Sequence, residues 1–293
     1  MKFQRIGGQV VQVKDVSTDS EPSAASNMLL RVLEENPPDE RDIEKRALPF
    51  QPRSYRDFML FERHYYNAAL GMTALYRPLA YGLGRLFSTL TFGVDFPFFK
   101  PHALWYQQPI FYQSNHLAFY SDGASIAYPR YCSYLDVELE LGVVLGKPLY
   151  NASPDEATAA IAGFCVFNDF SVRNGQMEEM ASGLGPQHSK AFANSISATV
   201  VSADEVLPHI NHLSGRISIN GELVAEPKVD NWQFSLGQAI SHVSQSTRLY
   251  PGEFFGSGTF PLDASFQLRV GDVVRLEVDG IGSVTNTIVA DTS

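Results

Sequence analysis

The stretch Leu135-Asp-Val-Glu-Leu-Glu-Leu-Gly-Val-Val-Leu145 decides the reading of this chain. Leu135, Val137, Leu139, Leu141 and Val143 occupy one parity, and Asp136, Glu138 and Glu140 the other. Successive side chains of a strand point to opposite faces, so the alternation predicts a strand carrying its acids on one side. Such acids stand about 7 Å apart per two-residue step. Unpaired, they repel and raise one another's pKa. A divalent cation removes that conflict, and hard oxygen donors suit Mg²⁺ or Ca²⁺. The competing reading is a one-sided sheet whose acidic face is solvated.

Two flanking segments carry further candidates. In Phe167-Asn-Asp-Phe-Ser-Val-Arg-Asn-Gly-Gln176, a helical turn after Asp169 would place Arg173 and Gln176 on the same stripe as Asp169. Those groups could bind a metal and an anionic substrate; alternatively, Asp169 is a helix cap in an i,i+4 ion pair. In Ser54-Tyr-Arg-Asp-Phe-Met-Leu-Phe-Glu-Arg-His64, a helix from about Ser54 to Tyr66 would bring Asp57 and His64 to one face. A histidine beside a metal-bound water could act as a general base. The plainer reading makes Ser54 a helix cap and His64 an ordinary amphipathic residue.

The rest of the chain sets the context. Its 293 residues carry 32 acids against 22 Lys+Arg, a formal charge of −10. Phosphate-backbone binding needs clustered cations, so nucleic acid is not an expected partner. Two cysteines, Cys132 and Cys165, are too few for a disulfide framework or a zinc ribbon. No apolar run has the length of a membrane span, and residues 1–30 lack a signal-peptide pattern, which predicts a cytoplasmic protein without membrane contact. Gly7-Gly8 marks a hairpin turn between Phe3 and Val13, followed by a loop over 15–27 and a short helix from Asn27 to Glu35. Helices are also expected over 154–163 and about 233–246, and the tail alternates around Asp279-Gly280 as a second hairpin. Residues 1–53 read as a small N-terminal lobe and 54–293 as one main domain. The aromatic segment 74–112 is too punctuated by Pro and Gly for one long helix. It is expected to line a wide apolar pocket or lid suited to a large, greasy substrate, or else to belong to the core or a subunit interface.

Taken in order, these segments resemble the fumarylacetoacetate hydrolase family over roughly residues 54–290. The acidic strand through Gly146 is followed by Ile161-Ala-Gly-Phe and Asn168-Asp-Phe-Ser-Val-Arg173. Gly183-Leu-Gly-Pro, Ser189-Lys-Ala-Phe192, Gly256-Ser-Gly-Thr259 and Gly271-Asp-Val-Val-Arg-Leu-Glu-Val-Asp-Gly-Ile-Gly282 come next. The resemblance implies an α+β, predominantly β fold, a mixed β-sandwich or roll, and a homodimer. It implies Glu138, Glu140 and Asp169 as metal ligands, with Asp57 as a fourth and His64 as the water-activating base. Tyr112 falls on a substrate-binding tyrosine. Arg173, Gln176 and Lys190 match polar groups around substrate and metal, and Gly258 with Thr259 forms a substrate-binding loop. Mg²⁺ or Ca²⁺ is the implied cofactor, with Mn²⁺ a further candidate.

Three positions depart from the family pattern. Asn174 stands where an acid is usual, no glutamate follows Thr259 to orient the histidine, and Thr73 replaces an arginine, with Arg77 one turn beyond. The expected function is metal-dependent hydrolysis of a C–C bond in a 1,3-dicarbonyl or acylpyruvate-like small molecule. The alternatives are a decarboxylase, tautomerase or dehydratase acting through an enolate, and a non-catalytic small-molecule binder.

Overall fold

The computed structural model describes residues 1–13, 21–39, 42, 47–92, 96–262 and 265–292. Among them, a ten-stranded central sheet has its main path through Gln9–Val13, Lys2–Ile6, Thr199–Ser202, Ile161–Asn168, Leu139–Leu145, Phe254–Gly256, Tyr55–Phe58 and Phe111–Gln113. Asn194–Ile196 and Phe119–Tyr120 join off that path. A five-stranded sheet runs Glu222–Ala225, Gly215–Ile219, Val273–Val278, Gly282–Ala290, Ser125–Tyr128 and packs on the central one at Ile161–Asn168. The fold is thus α+β and strand-rich, as expected from the sequence.

Two apolar layers sandwich the central sheet. Leu139, Leu141 and Val143 face a core shared with Ile217, Leu276 and Val284 of the second sheet. Val144, of opposite parity, joins Phe3, Leu29, Phe167 and Phe254 on the other face. Tyr55 is buried there with its ring edge-on to Phe119 and Phe167, at centroid separations of 5.3 and 5.4 Å. Such pairs contribute about 0.5–1.5 kcal/mol each beyond their buried area. Cys165 is buried in this layer, and burial raises its thiol pKa; Cys132 is only half-buried.

Because both faces are covered, the solvated-face reading of the acidic strand is overturned. Asp136, Glu138 and Glu140 are 1%, 4% and 0% exposed. The strand is also broken: Leu135–Asp136 pairs with Ser171–Val172, and only Leu139–Leu145 belongs to the central sheet.

The N-terminal hairpin forms with Ile6 opposite Gln9, and Gly7 and Gly8 supply the positive φ its tight turn requires. It pairs through Lys2–Ile6 with Thr199–Ser202, so hydrogen bonds cross the boundary drawn between residues 53 and 54. The tail hairpin pairs Val278 with Gly282 around Asp279-Gly280. The first helix is Ala24–Glu35, starting earlier than expected because Ser23 caps it; residues 15–20 of the expected loop lie outside the described residues. Helices Pro154–Ala159 and Leu236–Ser244 fall inside their expected ranges, each opened by a capping box.

The expected helix from Ser54 to Tyr66 is corrected. Tyr55–Phe58 is a strand, parallel to Phe254–Gly256 and antiparallel to Phe111–Gln113, and the helix begins only at Glu62. Sheet hydrogen bonds from distant segments outweigh the local preference. A buried Arg56–Glu253 ion pair ties the strand to its neighbour. Segment 74–112 breaks as expected: Glu62–Tyr76 ends at Arg77, and Pro78 opens Pro78–Leu90. Among its described residues, Ile110, Phe111 and Tyr112 are the ones that reach the main cavity.

Candidate metal centre and active site

Sheet register assembles the site. Asp57 stands opposite Tyr112 on one side and level with Gly256 on the other. Gly256 in turn faces Gly142, two residues beyond Glu140 on the next strand. Asp169 follows Ile161–Asn168, and its N–H donates to the Glu138 carbonyl at 3.2 Å. A cavity of about 730 Å³ opens over this region. Asp57, His64, Tyr112, Glu138, Glu140, Arg173, Gln176, Lys190, Gly258 and Thr259 all line it, and Asp169 is fully buried behind Tyr112 and Lys190.

Asp57, Glu140 and Asp169 can each bring one carboxylate oxygen within 4.8 Å of the others. Burial, then the charge of Asp169, pushes the Asp57 carboxyl well above its ordinary range. Burial, then Asp57, does the same to Glu140, and burial raises Asp169. Oδ1 of Asp57 and Oδ1 of Asp169 are buried without a hydrogen-bond partner among the described residues. Uncompensated buried oxygens are costly unless something positive reaches them. Fully ionised, Asp57, Glu140 and Asp169 with Asp136 and Glu138 would carry three more negative charges than the buried cations Arg173 and Lys190 balance. A dication would leave −1. The donor set, its orphaned oxygens and its charge fit a hard divalent cation held by Asp57, Glu140 and Asp169.

Glu138, expected as a ligand together with Glu140 and Asp169, is ion-paired in this structure. Arg173 pairs with its Oε1 and Lys190 with its Oε2. Burial alone would raise the Glu138 carboxyl, but Lys190 and then Arg173 hold it well below the usual range. Lys190 bridges Glu138 and Asp169, whose charges outweigh burial and keep the ammonium protonated. Asp136, not expected as a ligand, accepts from Arg173 Nε at 2.8 Å and from the Val137 and Phe266 N–H groups at 2.9 Å each. It positions the guanidinium. The expected helical stripe through Asp169 is corrected: the helix is Arg173–Ser182, so Asp169 precedes it and Arg173 pairs with Asp136 and Glu138 instead. Gln176 does share the helix and accepts from Arg173 Nη1 at 2.9 Å.

The groups expected to touch substrate also support the carboxylates. Gly258 N–H donates to Glu140 Oε2 at 2.9 Å, and the Thr259 hydroxyl donates to Oε1 at 3.2 Å. Tyr112 O–H donates to Asp169 Oδ2 at 2.6 Å. His64 sits in the first turn of Glu62–Tyr76, 8% exposed, and shares no helix with Asp57. Burial depresses its pKa to about 4; Glu138 opposes this, and Arg173 and Lys190 reinforce it. The imidazole is neutral at pH 7 and can accept a proton.

Residues 98–289 match the family model described as fumarylacetoacetate (FAA) hydrolase C-terminal. The chain belongs to the fumarylacetoacetate hydrolase family. This family member is 29% identical over 193 residues to the homoprotocatechuate catabolism bifunctional isomerase/decarboxylase of Escherichia coli, covering 66% of this chain and 43% of that protein. The chain therefore spans less than half the length of that relative. It is also 29% identical over 177 residues to the mitochondrial oxaloacetate tautomerase of Mus musculus, covering 60% of this chain and 79% of the relative. The fumarylpyruvate hydrolase of Pseudomonas aeruginosa, solved with Mn²⁺ and pyruvate, shares the fold at TM-score 0.61 and 19% identity, covering 82% of this chain and 91% of that one.

Within the fumarylacetoacetate hydrolase family pattern, the three departures now have structures. Asn174 Oδ1 accepts from Ser133 N–H at 3.0 Å and Tyr134 N–H at 3.3 Å, while its Nδ2 donates to the Tyr131 carbonyl at 3.1 Å. An ionised aspartate could accept those bonds but not donate the third. Thr73 bonds back to the Ala69 carbonyl at 2.7 Å, and exposed Arg77 lies outside the cavity lining. Among the described residues none hydrogen-bonds buried His64 Nδ1, in keeping with the missing glutamate; Asp263 and Ala264 lie outside them.

Sequence reasoning missed the supporting roles of two residues. Glu179 accepts from the N–H groups of His188 and Ser189 at 3.1 Å each and from the Ser189 hydroxyl at 2.7 Å, clamping the short helix that carries Lys190. Nothing local signals that contact across the Gly183–Gly185 turn. Gly256 was legible as a glycine inside a strand, the mark of a close approach.

Proposed function

We propose that this protein is a divalent-metal-dependent hydrolase that cleaves a C–C bond in a 1,3-dicarbonyl or acylpyruvate-like acid. One observation carries the reading: neutral, buried His64 lines the same cavity as Asp57 and Glu140, with Asp169 completing the acidic cluster behind its wall. Mg²⁺, Ca²⁺ or Mn²⁺ held by Asp57, Glu140 and Asp169 would supply Lewis-acid polarisation of a carbonyl.

The chain's own residues do the rest. His64 takes a proton from water as the water oxygen bonds to the carbonyl carbon. The C–C bond then breaks, its electron pair leaves on the departing enolate, and that carbon is protonated. Lys190 and Arg173 fix positive charge at the cavity floor, where negative charge develops. Tyr112, Gly258 and Thr259 hold the carboxylates in place, and Gln176 steadies Arg173. A homodimer is part of the same proposal, and sedimentation analysis of the full chain tests it.

A second reading is favoured by His64 Nδ1, which has no hydrogen-bond partner among the described residues. A base without an orienting partner suffices to move a C–H proton, which is all that tautomerisation requires. Decarboxylation needs only the return of a proton to carbon once CO₂ has departed. Turnover in ¹⁸O-water separates the readings. Hydrolysis places label in the carboxylate product, and an unlabelled product rejects it.

A further inference from the structure

The cavity is chemically divided. Among the described residues of its wall, Arg173 and Lys190 are the permanent cations, and both are committed to carboxylates at the metal end. Apart from these cations, the carboxylates, His64, Tyr65, Tyr112 and Thr259, the rest of the described lining is neutral amides, glycines and apolar side chains. Met59, Met72, Met177 and Met180 all line it, four of the six methionines in the chain. Methionine is unbranched and polarisable and lets a surface adapt to apolar ligands of varied shape. At about 730 Å³ the space is that of a drug-sized ligand, more than a four-carbon acid needs. A second carboxylate on the substrate would meet no uncommitted cation among the described residues of that wall. An apolar tail would lose only water.

We propose that the substrate is a keto acid with one carboxylate, at the metal end, and an apolar acyl or aryl tail seated against Met59, Met72, Met177 and Met180. The proposal deepens the hydrolase reading and rests on it for the identity of the head group. It sets this chain apart from enzymes acting on dicarboxylates such as fumarylpyruvate.

Two measurements separate the tail from the reaction. Calorimetric titration of the Mg²⁺-loaded and the chelator-treated protein compares 2-oxodecanoate with the dicarboxylate 2-oxoadipate. 2-Oxodecanoate is expected to bind at least about tenfold more tightly, since each buried methylene contributes roughly three- to fourfold. Equal or weaker binding overturns the proposal. Met180, 45% exposed at the mouth, accepts a longer side chain. Met180→Arg is expected to lower that preference by favouring 2-oxoadipate, and an unchanged ratio counts against the tail site. Turnover is then measured across acylpyruvates from acetyl to decanoyl, with fumarylpyruvate alongside. Rising kcat/KM with chain length and weak use of fumarylpyruvate support the inference. A flat profile that includes fumarylpyruvate overturns it while leaving the hydrolase reading intact. Tail-dependent binding without turnover of any acylpyruvate rejects the hydrolase reading and keeps the tail site.

Discussion

Gly256 lies against Asp57 so closely that a Cβ there would stand 2.2 Å from Asp57 Oδ1, and 2.7 Å from Glu140 Oε2. The two residues share a register position on parallel strands, so the glycine leaves the space in which two of the three clustered carboxylates converge. Gly256→Ala should therefore push the carboxylates apart. Overpacking is expected to cost about 1–3 kcal/mol of stability, read by urea denaturation. Metal affinity should fall by about tenfold or more, as when a group that orients ligands is lost. Unchanged affinity by calorimetry would show that the close approach is irrelevant to the site.

Metal removal should destabilise the fold in a pH-dependent way. Asp57, Glu140 and Asp169 have raised pKa values when folded, so the metal-free protein favours their protonated forms. Their stabilising contribution is complete below the ordinary carboxylate range and is lost as pH rises through the raised values. The gain in Tm on adding Mg²⁺ to chelator-treated protein should thus grow from pH 5 to pH 8. A ligand at a hundred times its Kd contributes about 2.7 kcal/mol. A gain that shrinks with rising pH contradicts the assignment.

His64 has the opposite sign. Its folded pKa of about 4 lies below the unfolded value, so its neutral form contributes stability that is present above about 6.5 and lost as pH falls toward 4. His64→Ala should reduce kcat by roughly 10²- to 10⁴-fold while leaving metal affinity nearly unchanged. The acid limb of kcat/KM in the wild type should fall well below the ordinary histidine pKa. A limb centred near 6.5, or wild-type activity in the variant, removes His64 as the base.

Asp136 acts through Arg173. Asp136→Asn takes one of two carboxylates from a guanidinium that is 7% exposed; with Glu138 still paired, the loss is expected to cost about 1–3 kcal/mol. Denaturation midpoints test that loss. Because Asp136 only positions Arg173, KM should rise more than kcat falls, and a pure kcat loss would argue for direct contact with substrate.

Much of this protein was determined by sequence alone. Both hairpins follow from local turn chemistry, with Gly7-Gly8 and Asp279-Gly280 between alternating runs. The alternation over Leu139–Leu145 sets which side chains share a face, because a strand's period belongs to its backbone. The candidate site residues were legible as ordered motifs, and the fold draws them to one place. Only the tertiary structure decided what each acid does. By alternation alone Asp136, Glu138 and Glu140 share one face, yet one holds Arg173, one is paired by two cations and one joins Asp57 and Asp169. Strand or helix at Tyr55–Phe58 was likewise settled by partners about 55 and 200 residues away. Local sequence encodes backbone periodicity, whereas burial and charge pairing depend on which distant segments close over a residue.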